Sequence, residues 1–386
     1  MTRKEFIQMC SILGIGLPIQ SAMKSCSKES VVSADEKVII VGAGAGGLTA
    51  GYLLQQRGIN FEILEASGQY GGRMRTTNNF VDFPISLGGE WLHVEKGVLS
   101  EIVNDSSVNI DIETTPYDFD NDYALFQGMR VSMEDIGFTI DQKFIGSSWF
   151  DFFEQYIVPS IKDKIRLNHV VSSIDYSGES VVISTSSGQF EANRLIFNAP
   201  LKMLQNGNIS FTPDLPADKK EALRDLKVWD GFKAFIEFSE KFYPAAIAFD
   251  IVPANAGQRL YYDAAYGQRS SRNVLGLFSV GTGTEPYKSL SDNELRDYML
   301  NELDEMFDGK ASQTYIQHTS QNWNNEPYIN GAYITDEEDW RKVRTMGQSL
   351  DNKIYFAGCA YTDGSDWSSV HAAGRSAIRA VSEMFG

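Results

Sequence analysis

Cysteine and histidine are scarce in this chain of 386 residues, and their scarcity argues against two kinds of site. Of the three cysteines, Cys10 and Cys26 lie in the first 34 residues, so Cys359 stands alone in the rest of the chain. No disulfide framework is therefore predicted. The four histidines lie far apart and lack the spacing that is typical of metal ligands, so we expect no metal site.

Basic residues are also in short supply. The chain has 34 lysines and arginines against 51 aspartates and glutamates, which gives a formal net charge of −17. This balance argues against nucleic acid as a partner and mildly favours cationic ligands, although a solvated acidic surface is the simpler interpretation. Because 42% of the residues are hydrophobic, we expect a sizeable core in either two domains or one large one.

Residues 1–34 have the layout of an export signal followed by a linker. Arg3 and Lys4 precede an apolar segment that is too short to span a membrane, and small and polar residues follow it. The start resembles a twin-arginine signal, and residues 23–26 resemble a lipoprotein signal. These features predict an exported protein, periplasmic or anchored to a bacterial membrane by a lipid on Cys26; a cytoplasmic protein is the alternative.

A strand–turn–helix–strand unit at residues 38–66 organises the rest of the sequence. The apolar run 38–41 predicts a buried parallel strand, residues 48–57 have helical composition, and residues 61–64 predict a second strand. Between the first strand and the helix lies a G-x-G-x-x-G motif. The residues that this unit predicts to contact a dinucleotide are Gly42, Gly44, Ala45, Gly46, Gly47, Glu65 and Ala66.

The chemistry of a dinucleotide explains this spacing. Gly42 permits a tight turn, Gly44 lets the backbone approach a pyrophosphate, and Gly47 lets the helix pack closely on the strand. The helix N-terminus offers free N–H groups to the phosphates. Glu65 ends the second strand, where a carboxylate binds ribose hydroxyls. A glycine-rich turn between packed elements is the alternative to a nucleotide site.

Two further glycine turns follow. Gly72 and Arg73 suit a loop around a phosphate, in which the guanidinium makes charge-assisted hydrogen bonds. A strand then leads into a second turn, whose paired glycines let the backbone lie against a flat ligand; an ordinary structural turn is the alternative. The residues of this second turn are Gly88, Gly89, Glu90 and Trp91.

These motifs, in this order, resemble the flavin-containing amine oxidase family, which includes monoamine, polyamine and L-amino-acid oxidases. The resemblance implies an α/β fold: a Rossmann-like FAD/NAD(P)-binding domain with an interleaved substrate domain of the amine-oxidase type. It also implies FAD rather than NAD, because the second glycine–arginine loop is the family's mark. The implied cofactor domain comprises residues 37–95, 160–200 and 320–386, and the substrate domain comprises 96–159 and 201–319.

The resemblance also implies residues around the flavin ring. Lys233 matches a strand lysine that holds a water at flavin N5, although an exposed strand lysine is the alternative. Tyr333 matches one wall of an aromatic cage, and Trp367 is expected as the second wall unless the match slips onto Asp366. Ala332 occupies the position of the covalent thioether in monoamine oxidases, so we expect non-covalent FAD.

Two other segments are expected to reach the cofactor. Val171, or its neighbour Val170, matches a position that contacts the adenine through the backbone, and Ala199 lies where the chain passes near the cofactor. Gly358 and Cys359 match the end of the family's F-A-G-E strand. The family's glutamate at this end helps to hold the cofactor's sugar or pyrophosphate, and here Cys359 replaces it.

The implied reaction is the oxidation of a C–H bond beside an amine nitrogen. Hydride passes to flavin N5, water hydrolyses the imine, and O2 reoxidises the flavin to give H2O2. The expected partners are a small amine and O2. One alternative is a flavin desaturase or isomerase of the carotenoid or protoporphyrinogen type. Another is a non-catalytic flavoprotein, favoured by Cys359 and by an atypical C-terminal segment.

Four further elements are expected, and the structure tests them. Residues 141–157, which are crowded with aromatics, predict a helix, and residues 228–238 predict a strand with Lys233 on the face opposite Phe232. The helical spacing of residues 290–307 predicts an amphipathic helix. The family resemblance implies a closing helix over residues 369–384.

Overall fold

The computed structural model describes residues 36–138, 140–249, 256–335 and 338–385. The predicted export signal, Cys26 included, lies outside the described residues. The helices of the described part are α1 (Ala45–Gln56), α2 (Gly97–Val103), α3 (Trp149–Tyr156), α4 (Leu201–Gln205), α5 (Ala217–Asp225), α6 (Asp292–Met306), α7 (Lys310–Thr314), α8 (Trp340–Gly347) and α9 (Val370–Phe385). None of them is long and apolar enough to cross a membrane.

The strands of the described residues fall into three larger sheets and two small pairs. They are β1 (Lys37–Val41), β2 (Asn60–Leu64), β3 (Thr76–Thr77), β4 (Ile85–Ser86), β5 (Thr114–Pro116), β6 (Tyr123–Phe126), β7 (Met129–Ser132), β8 (Gln142–Phe144), β9 (Ile165–Arg166), β10 (Val171–Asp175), β11 (Val181–Thr185), β12 (Gly188–Ala192), β13 (Arg194–Phe197), β14 (Ser210–Thr212), β15 (Gly231–Phe238), β16 (Ala246–Ala248), β17 (Gly257–Asp263), β18 (Asn273–Gly281), β19 (Tyr315–Asn322) and β20 (Ile354–Phe356).

A five-stranded parallel sheet gathers distant parts of the chain. Its order is β20–β13–β1–β2–β9, and every neighbouring pair is parallel. The carboxyl ends of all five strands therefore meet at one edge, which is where open α/β sheets bind their ligands. The predicted glycine turn leaves β1 at this edge.

Both faces of the parallel sheet are covered. Ile40 packs into a core that includes residues of α1, α2, α3 and α9. Ile39 points to the opposite face, into a core shared with the β12–β11–β10–β14 sheet, α5 and α8. Coverage on both faces explains why β1 reads as a continuous apolar run rather than an alternating one.

The largest sheet has the order β19–β15–β18–β17–β16–β6–β7 and is antiparallel except where β16 meets β6. Every residue of β15 is buried. As its alternation predicts, Phe232 faces the core that contains α6, whereas Phe235 faces the core that contains Trp91. Lys233, two positions before Phe235, lies on that second face, toward β4 and the glycine turn that follows it.

The predicted helix over residues 141–157 is wrong in its first half. β8 pairs with β5, and the chain then turns through Gly146, whose φ of +61° breaks a helix. The helix α3 begins only after Ser148, whose hydroxyl accepts a hydrogen bond from the Asp151 N–H. A glycine and an N-cap serine, both present in the sequence, therefore shorten the helix that was expected from this aromatic segment.

The division into cofactor and substrate domains stays a prediction. α2 and α3, which come from the segment 96–159 expected in the substrate domain, contribute to the same core as α1. The segments 37–64, 194–197 and 354–356, all expected in the cofactor domain, share the parallel sheet.

Candidate active site

The glycine turn and the start of α1 form one end of the site. Gly44 precedes α1 without a side-chain cap, and the first intrahelical bond runs from the Leu48 N–H to the Gly44 carbonyl. The N–H groups of the first turn therefore have no partner within the helix. A Cβ on Gly47 would lie 1.9 Å from the Gly42 carbonyl oxygen, so only glycine permits this close approach of helix and turn.

Glu65 connects β2 to this turn. Its Oε2 accepts a hydrogen bond from the Ala43 N–H at 2.8 Å, and its Oε1 accepts one from the Ser67 N–H at 2.9 Å. Ala66 lies between these partners in the bend after β2. The carboxylate is thus held beside the glycine turn, as a ribose-binding acid must be; the contact with ribose itself stays a prediction.

Arg73 brings three of the predicted motifs together. Its loop lies on the glycine turn, because the Gly71 N–H donates to the Ala43 carbonyl at 2.8 Å. The guanidinium donates to the Ala332 carbonyl and, at 3.2 Å, to the Cys359 Sγ. The motifs at positions 73, 332 and 359, far apart in sequence, therefore share one cavity that Arg73, Cys359 and Tyr333 line.

The second glycine turn packs on the backbone of Arg73. The Gly89 N–H donates to the Arg73 carbonyl at 2.9 Å. A Cβ on Gly88 would lie 1.9 Å from the same oxygen. Gly72, which precedes Arg73, has a φ of +56°. These contacts bring the two predicted cofactor loops together.

Asn198 is a site residue whose side chain the sequence interpretation missed. Its Nδ2 donates to the Gly42 carbonyl at 3.1 Å, and a Cβ on Gly358 would lie 2.9 Å from its Oδ1. The available signal was an amide directly after a parallel strand. The neighbouring Ala199 carbonyl accepts a bond from the Tyr361 hydroxyl, and Val171 is buried in the core beneath the parallel sheet.

Lys233 lies under the second glycine turn and is only 4% exposed. Its ammonium donates to the Ser86 carbonyl at 2.9 Å, the Gly88 carbonyl at 3.2 Å and Glu90 Oε2 at 2.6 Å. These three acceptors match its three N–H donors. A water at flavin N5, the predicted partner of Lys233, would therefore have to replace one of them.

Glu90 is the centre of a buried charge cluster, which we call the Lys143–Glu90–Lys233 cluster. Besides Lys233, its carboxylate meets the Tyr262 hydroxyl at 2.5 Å and the Lys143 ammonium at 3.2 Å. Burial opposes ionisation of Glu90, but Lys233 and Lys143 together hold its pKa below the ordinary value. Burial raises the pKa of Tyr262 well above its ordinary value, so its hydroxyl stays protonated.

Lys143 is another residue that the sequence interpretation missed. It lies on β8 and is 2% exposed, and it also donates to the Ala264 carbonyl at 2.8 Å and the Asp263 carbonyl at 3.2 Å. No local motif marks it, because only the pairing of β8 with β5 and the packing of the loop after β17 bring it to Glu90. The cluster therefore holds two cations and one carboxylate.

Aromatic rings connect this cluster to Tyr333. The Trp91 ring lies 4.6 Å from the Tyr262 ring and 5.8 Å from the Phe278 ring, between ring centroids. Phe278 packs against both the core of Trp91 and a small core that contains Trp229. Trp229 in turn lies 6.0 Å from Tyr333. Trp229 and Phe278 belong to this series of ring contacts between Trp91 and Tyr333, and the sequence interpretation missed both.

Trp367 and Asp366 have separate contacts. The Trp367 indole donates to the Thr335 carbonyl at 3.0 Å, and the ring packs on the core beneath the parallel sheet. Asp366 Oδ2 lies 2.7 Å from Nε2 of His371, a buried residue in the first turn of α9. The role of Trp367 as the second cage wall stays a prediction, as does the catalytic role of each residue in the site.

The residues present fit FAD. The open helix N-terminus, the Glu65 carboxylate and the Arg73 guanidinium supply what a ribose and a pyrophosphate need, and they meet at the carboxyl edge of a parallel sheet. The aromatic rings from Trp91 to Tyr333 supply an apolar environment that suits a flat ring system and an uncharged substrate carbon.

Comparison with known proteins agrees with this reading. The family model described as flavin containing amine oxidoreductase matches residues 45–154 and 150–385. Polyamine oxidase 2 of Arabidopsis thaliana is 22% identical in an alignment of 393 residues. The alignment covers 80% of this chain and 79% of that protein. Lysine-specific histone demethylase 1B of Mus musculus is 28% identical over 174 residues, 44% of this chain. That match covers 21% of the demethylase, so the chain aligns with about a fifth of this relative's length.

Solved structures show the same fold. Putrescine oxidase bound to putrescine superposes with a TM-score of 0.70 at 16% identity, over 90% of this chain and 98% of that one. A triple mutant of the same enzyme gives a TM-score of 0.72. The predicted α/β fold, the FAD cofactor and FAD-dependent amine oxidation are confirmed at the level of the family. The chain belongs to the flavin-containing amine oxidoreductase family.

Proposed function

We propose that this protein oxidises a small amine at the C–H bond beside its nitrogen, with O2 as the final electron acceptor. When bound, FAD supplies hydride acceptance at N5 and electron transfer to O2, which yields H2O2. The observation that carries the proposal is the meeting of the glycine turn, Glu65, Arg73 and the second glycine turn at one sheet edge. Water hydrolyses the imine product after its release.

The chain's own residues would bind, orient and exclude water. Glu65 and the start of α1 hold the ribose and the pyrophosphate, and Arg73 adds a cation beside the phosphates. The walls formed by Trp91, Phe278 and Tyr333 orient an amine in its neutral form, because an apolar wall disfavours the ammonium. Lys233 fixes the second glycine turn by donating to the Ser86 carbonyl of β4, to the Gly88 carbonyl and to the Glu90 carboxylate.

Anaerobic reduction of the bound flavin tests this function. Primary amines, polyamines and amino acids are mixed separately with the FAD-loaded protein, and loss of the oxidised flavin absorption is followed. We expect bleaching by at least one amine and peroxide release once O2 is admitted. Polyamines belong in the panel because relatives of this chain are named polyamine and putrescine oxidases.

The two alternatives give different results in the same experiment. A desaturase or isomerase would leave the flavin oxidised with every amine and react with an apolar polyene or porphyrinogen. A non-catalytic flavoprotein would bind FAD that no compound bleaches. Either result would contradict the proposed amine oxidation while leaving the fold and the cofactor intact.

We also propose that the protein is exported and attached to a membrane through a lipid on Cys26. The basic start, the short apolar segment and the lipoprotein-like residues 23–26 support this proposal. In a bacterial host we expect the full chain to incorporate labelled palmitate and to fractionate with membranes. Cys26→Ala should lose both properties, whereas Cys10→Ala should keep them. An unlabelled protein in the cytoplasmic fraction would favour the cytoplasmic alternative.

A further inference from the structure

Cations line two cavities among the described residues, although the protein is acidic as a whole. One cavity is lined by Lys143 and Glu90 together with uncharged residues. The other is lined by Arg73 and Lys202. Among the described residues that line the two cavities, Glu90 is the one carboxylate. In the FAD-loaded protein Arg73 would face the phosphates, so the positive charge that an amine would meet is that of Lys143 and Lys233 around Glu90.

The single carboxylate is already engaged. Glu90 meets Lys233 at 2.6 Å and Lys143 at 3.2 Å, and the Tyr262 hydroxyl occupies the same oxygen as Lys233. Burial lowers the pKa of Lys233, and the Glu90 carboxylate 2.6 Å away opposes that shift. With Tyr262 and both lysines protonated, the buried Lys143–Glu90–Lys233 cluster has a formal charge of +1. A second ammonium entering this region would find no free carboxylate on the cluster and would face its net positive charge.

Four carboxylates on other strands and loops of the described residues are paired with lysine or arginine. Glu326, in the loop after β19, forms an ion pair with Arg75 at 2.6 Å. Asp263, at the end of β17, pairs with Lys241 at 2.6 Å, and Glu237 on β15 pairs with Arg272 at 2.7 Å. Asp230, before β15, pairs with Lys288 at 2.7 Å. Breaking such a pair to bind a substrate cation would leave the original cation uncompensated.

We propose that the Lys143–Glu90–Lys233 cluster selects the substrate, favouring a monoamine whose remainder is uncharged or anionic and disfavouring di- and polyamines. This inference rests on the proposed amine oxidation. The nitrogen that is oxidised enters the apolar walls as the neutral amine. The far nitrogen of a diamine stays protonated at neutral pH, because an alkylammonium resembles lysine in its pKa. It is this second charge that the cluster repels.

The size of the effect follows from Coulomb's law. At an effective dielectric constant of about 20, two like charges separated by about 7 Å repel strongly enough to lower binding by more than about tenfold. The acidic surface acts in the opposite sense and attracts dications, but only over the distance that salt allows, about 8 Å at physiological ionic strength. Binding and rate measurements at and above physiological ionic strength therefore report the repulsion by the cluster rather than the attraction by the acidic surface.

Butylamine and putrescine form a matched pair for the test, because they share a four-carbon chain and differ by one terminal amine. For the FAD-loaded wild-type protein we expect kcat/KM for butylamine to exceed that for putrescine by at least about tenfold. Lys143→Met removes one charge from the cluster at similar side-chain length, and the ratio should fall several-fold. Lys310→Met removes the same charge from an exposed ion pair with Glu240 and should leave the ratio unchanged.

A binding measurement separates selection from turnover. Tert-octylamine and 2,5-dimethylhexane-2,5-diamine have the same number of carbons and no hydrogen on the carbon beside nitrogen, so neither is oxidised. Their dissociation constants for the FAD-loaded protein can be measured from perturbation of the flavin absorption. We expect the monoamine to bind at least about tenfold more tightly, with a smaller difference in Lys143→Met.

The outcomes are distinct. If no amine bleaches the flavin, the proposed oxidation itself fails. If putrescine is oxidised as well as butylamine and the two non-reacting amines bind equally, amine oxidation stands and this inference is overturned. A wild-type preference that survives unchanged in Lys143→Met would overturn the role of the cluster. The wild-type comparison needs no variant, so a poorly folded Lys143→Met protein does not prevent a decision.

Discussion

At the scale of single residues, Cys359 has replaced the glutamate that the family resemblance predicts and now contacts Arg73 Nη2 at 3.2 Å. Because Cys359 lines the same cavity as Arg73 and Tyr333, bound FAD should cover its thiol. We expect alkylation of Cys359 by N-ethylmaleimide to slow by at least about tenfold on FAD loading, since exposure limits thiol reactivity. Peptide mass spectrometry separates Cys359 from Cys10 and Cys26. Equal rates with and without FAD would contradict its place in the cofactor site.

Glu65 offers a second prediction, with a matched control at Glu62 on β2, the strand that Glu65 follows. Glu65→Ala removes the acceptor for the Ala43 and Ser67 N–H groups and the carboxylate expected on the ribose. We expect FAD affinity, measured by fluorescence titration of the apoprotein, to fall by about tenfold or more. Glu62→Ala, which removes only a partly exposed pair with Lys37 and Arg166, should leave the affinity within about twofold. Similar losses in both variants would count against a nucleotide role for Glu65.

The sequence predicted some of these residues and not others for a physical reason. Glu65 and Arg73 belong to local motifs in which the backbone geometry and the chemistry are encoded within a few positions. Lys143 and Trp229 reach the site through pairings between distant strands, which leave no local signature. Lys233 was recognisable by position, but its three acceptors depend on the packed second turn and so became visible only in the structure.

At the scale of elements, two of the three glycines in α1 differ in what a methyl group would meet. On Gly47 it would lie 1.9 Å from a backbone oxygen of the glycine turn, whereas on Gly51 it would meet the terminal Cδ1 of Ile63 at 2.8 Å. Gly47→Ala should therefore displace the helix and lower the free energy of unfolding by about 2 kcal/mol or more, with loss of FAD.

Gly51→Ala is the control in the same helix. A side-chain end can move, and alanine favours the helix by about 1 kcal/mol relative to glycine, so the net change should be small. Urea unfolding and the flavin content of the purified protein provide both measurements. If Gly47→Ala and Gly51→Ala lose the same amount of stability and of bound flavin, the close approach of helix and turn is not the reason for glycine at position 47.

Lys219 gives α5 a pH-dependent contact with α8. Its buried ammonium donates to the carbonyls of Thr345, Met346 and Gln348 at the end of α8, while burial lowers its pKa to about 7. Between about pH 7 and the ordinary lysine pKa, the unfolded chain binds a proton that the folded chain does not. Stability should therefore rise with pH in this window, by up to about 1.4 kcal/mol per pH unit.

Lys219→Met isolates this contribution. The variant should be less stable because the α8 carbonyls lose their donor, but its unfolding free energy should lack the extra slope between about pH 7 and 10. Chemical unfolding of both proteins at a series of pH values gives the comparison. If the unfolding free energies of the two proteins change in parallel with pH, the three carbonyls restore the ordinary pKa of Lys219 despite its burial.

The elements that the sequence predicted well have a strong hydrophobic periodicity and residues that clearly mark where the element begins and ends. The helix expected over residues 290–307 is found as α6, which a capping box at Ser291 and Glu294 begins. The helix expected over residues 141–157 failed because aromatic residues pack equally well from a strand, a turn and a short helix. Composition in that segment indicated burial and not conformation.

At the scale of the whole molecule, the expected cofactor site joins parts of the chain that are far apart in sequence. The glycine turn follows β1, Asn198 follows β13, and Cys359 follows β20, and these three strands lie side by side in the parallel sheet. This convergence could be anticipated from the motifs, since parallel strands present their carboxyl ends at one edge. The cationic cavities could not, because net charge describes the surface and not the interior.

The same convergence predicts how the molecule responds to removal of FAD. A ligand that binds the native state alone stabilises it by about 4 kcal/mol when its concentration is a thousand times its dissociation constant. We expect the apoprotein to melt roughly 5–10 °C below the FAD-loaded protein, and re-addition of FAD should restore the difference. Calorimetry at several FAD concentrations measures it, with riboflavin, which lacks the adenosine diphosphate half, as the control. Because the glycine turn, Glu65 and Arg73 recognise that missing half, riboflavin should leave the melting temperature of the apoprotein nearly unchanged, and an equal rise with riboflavin would contradict the assignment of this sheet edge to the dinucleotide.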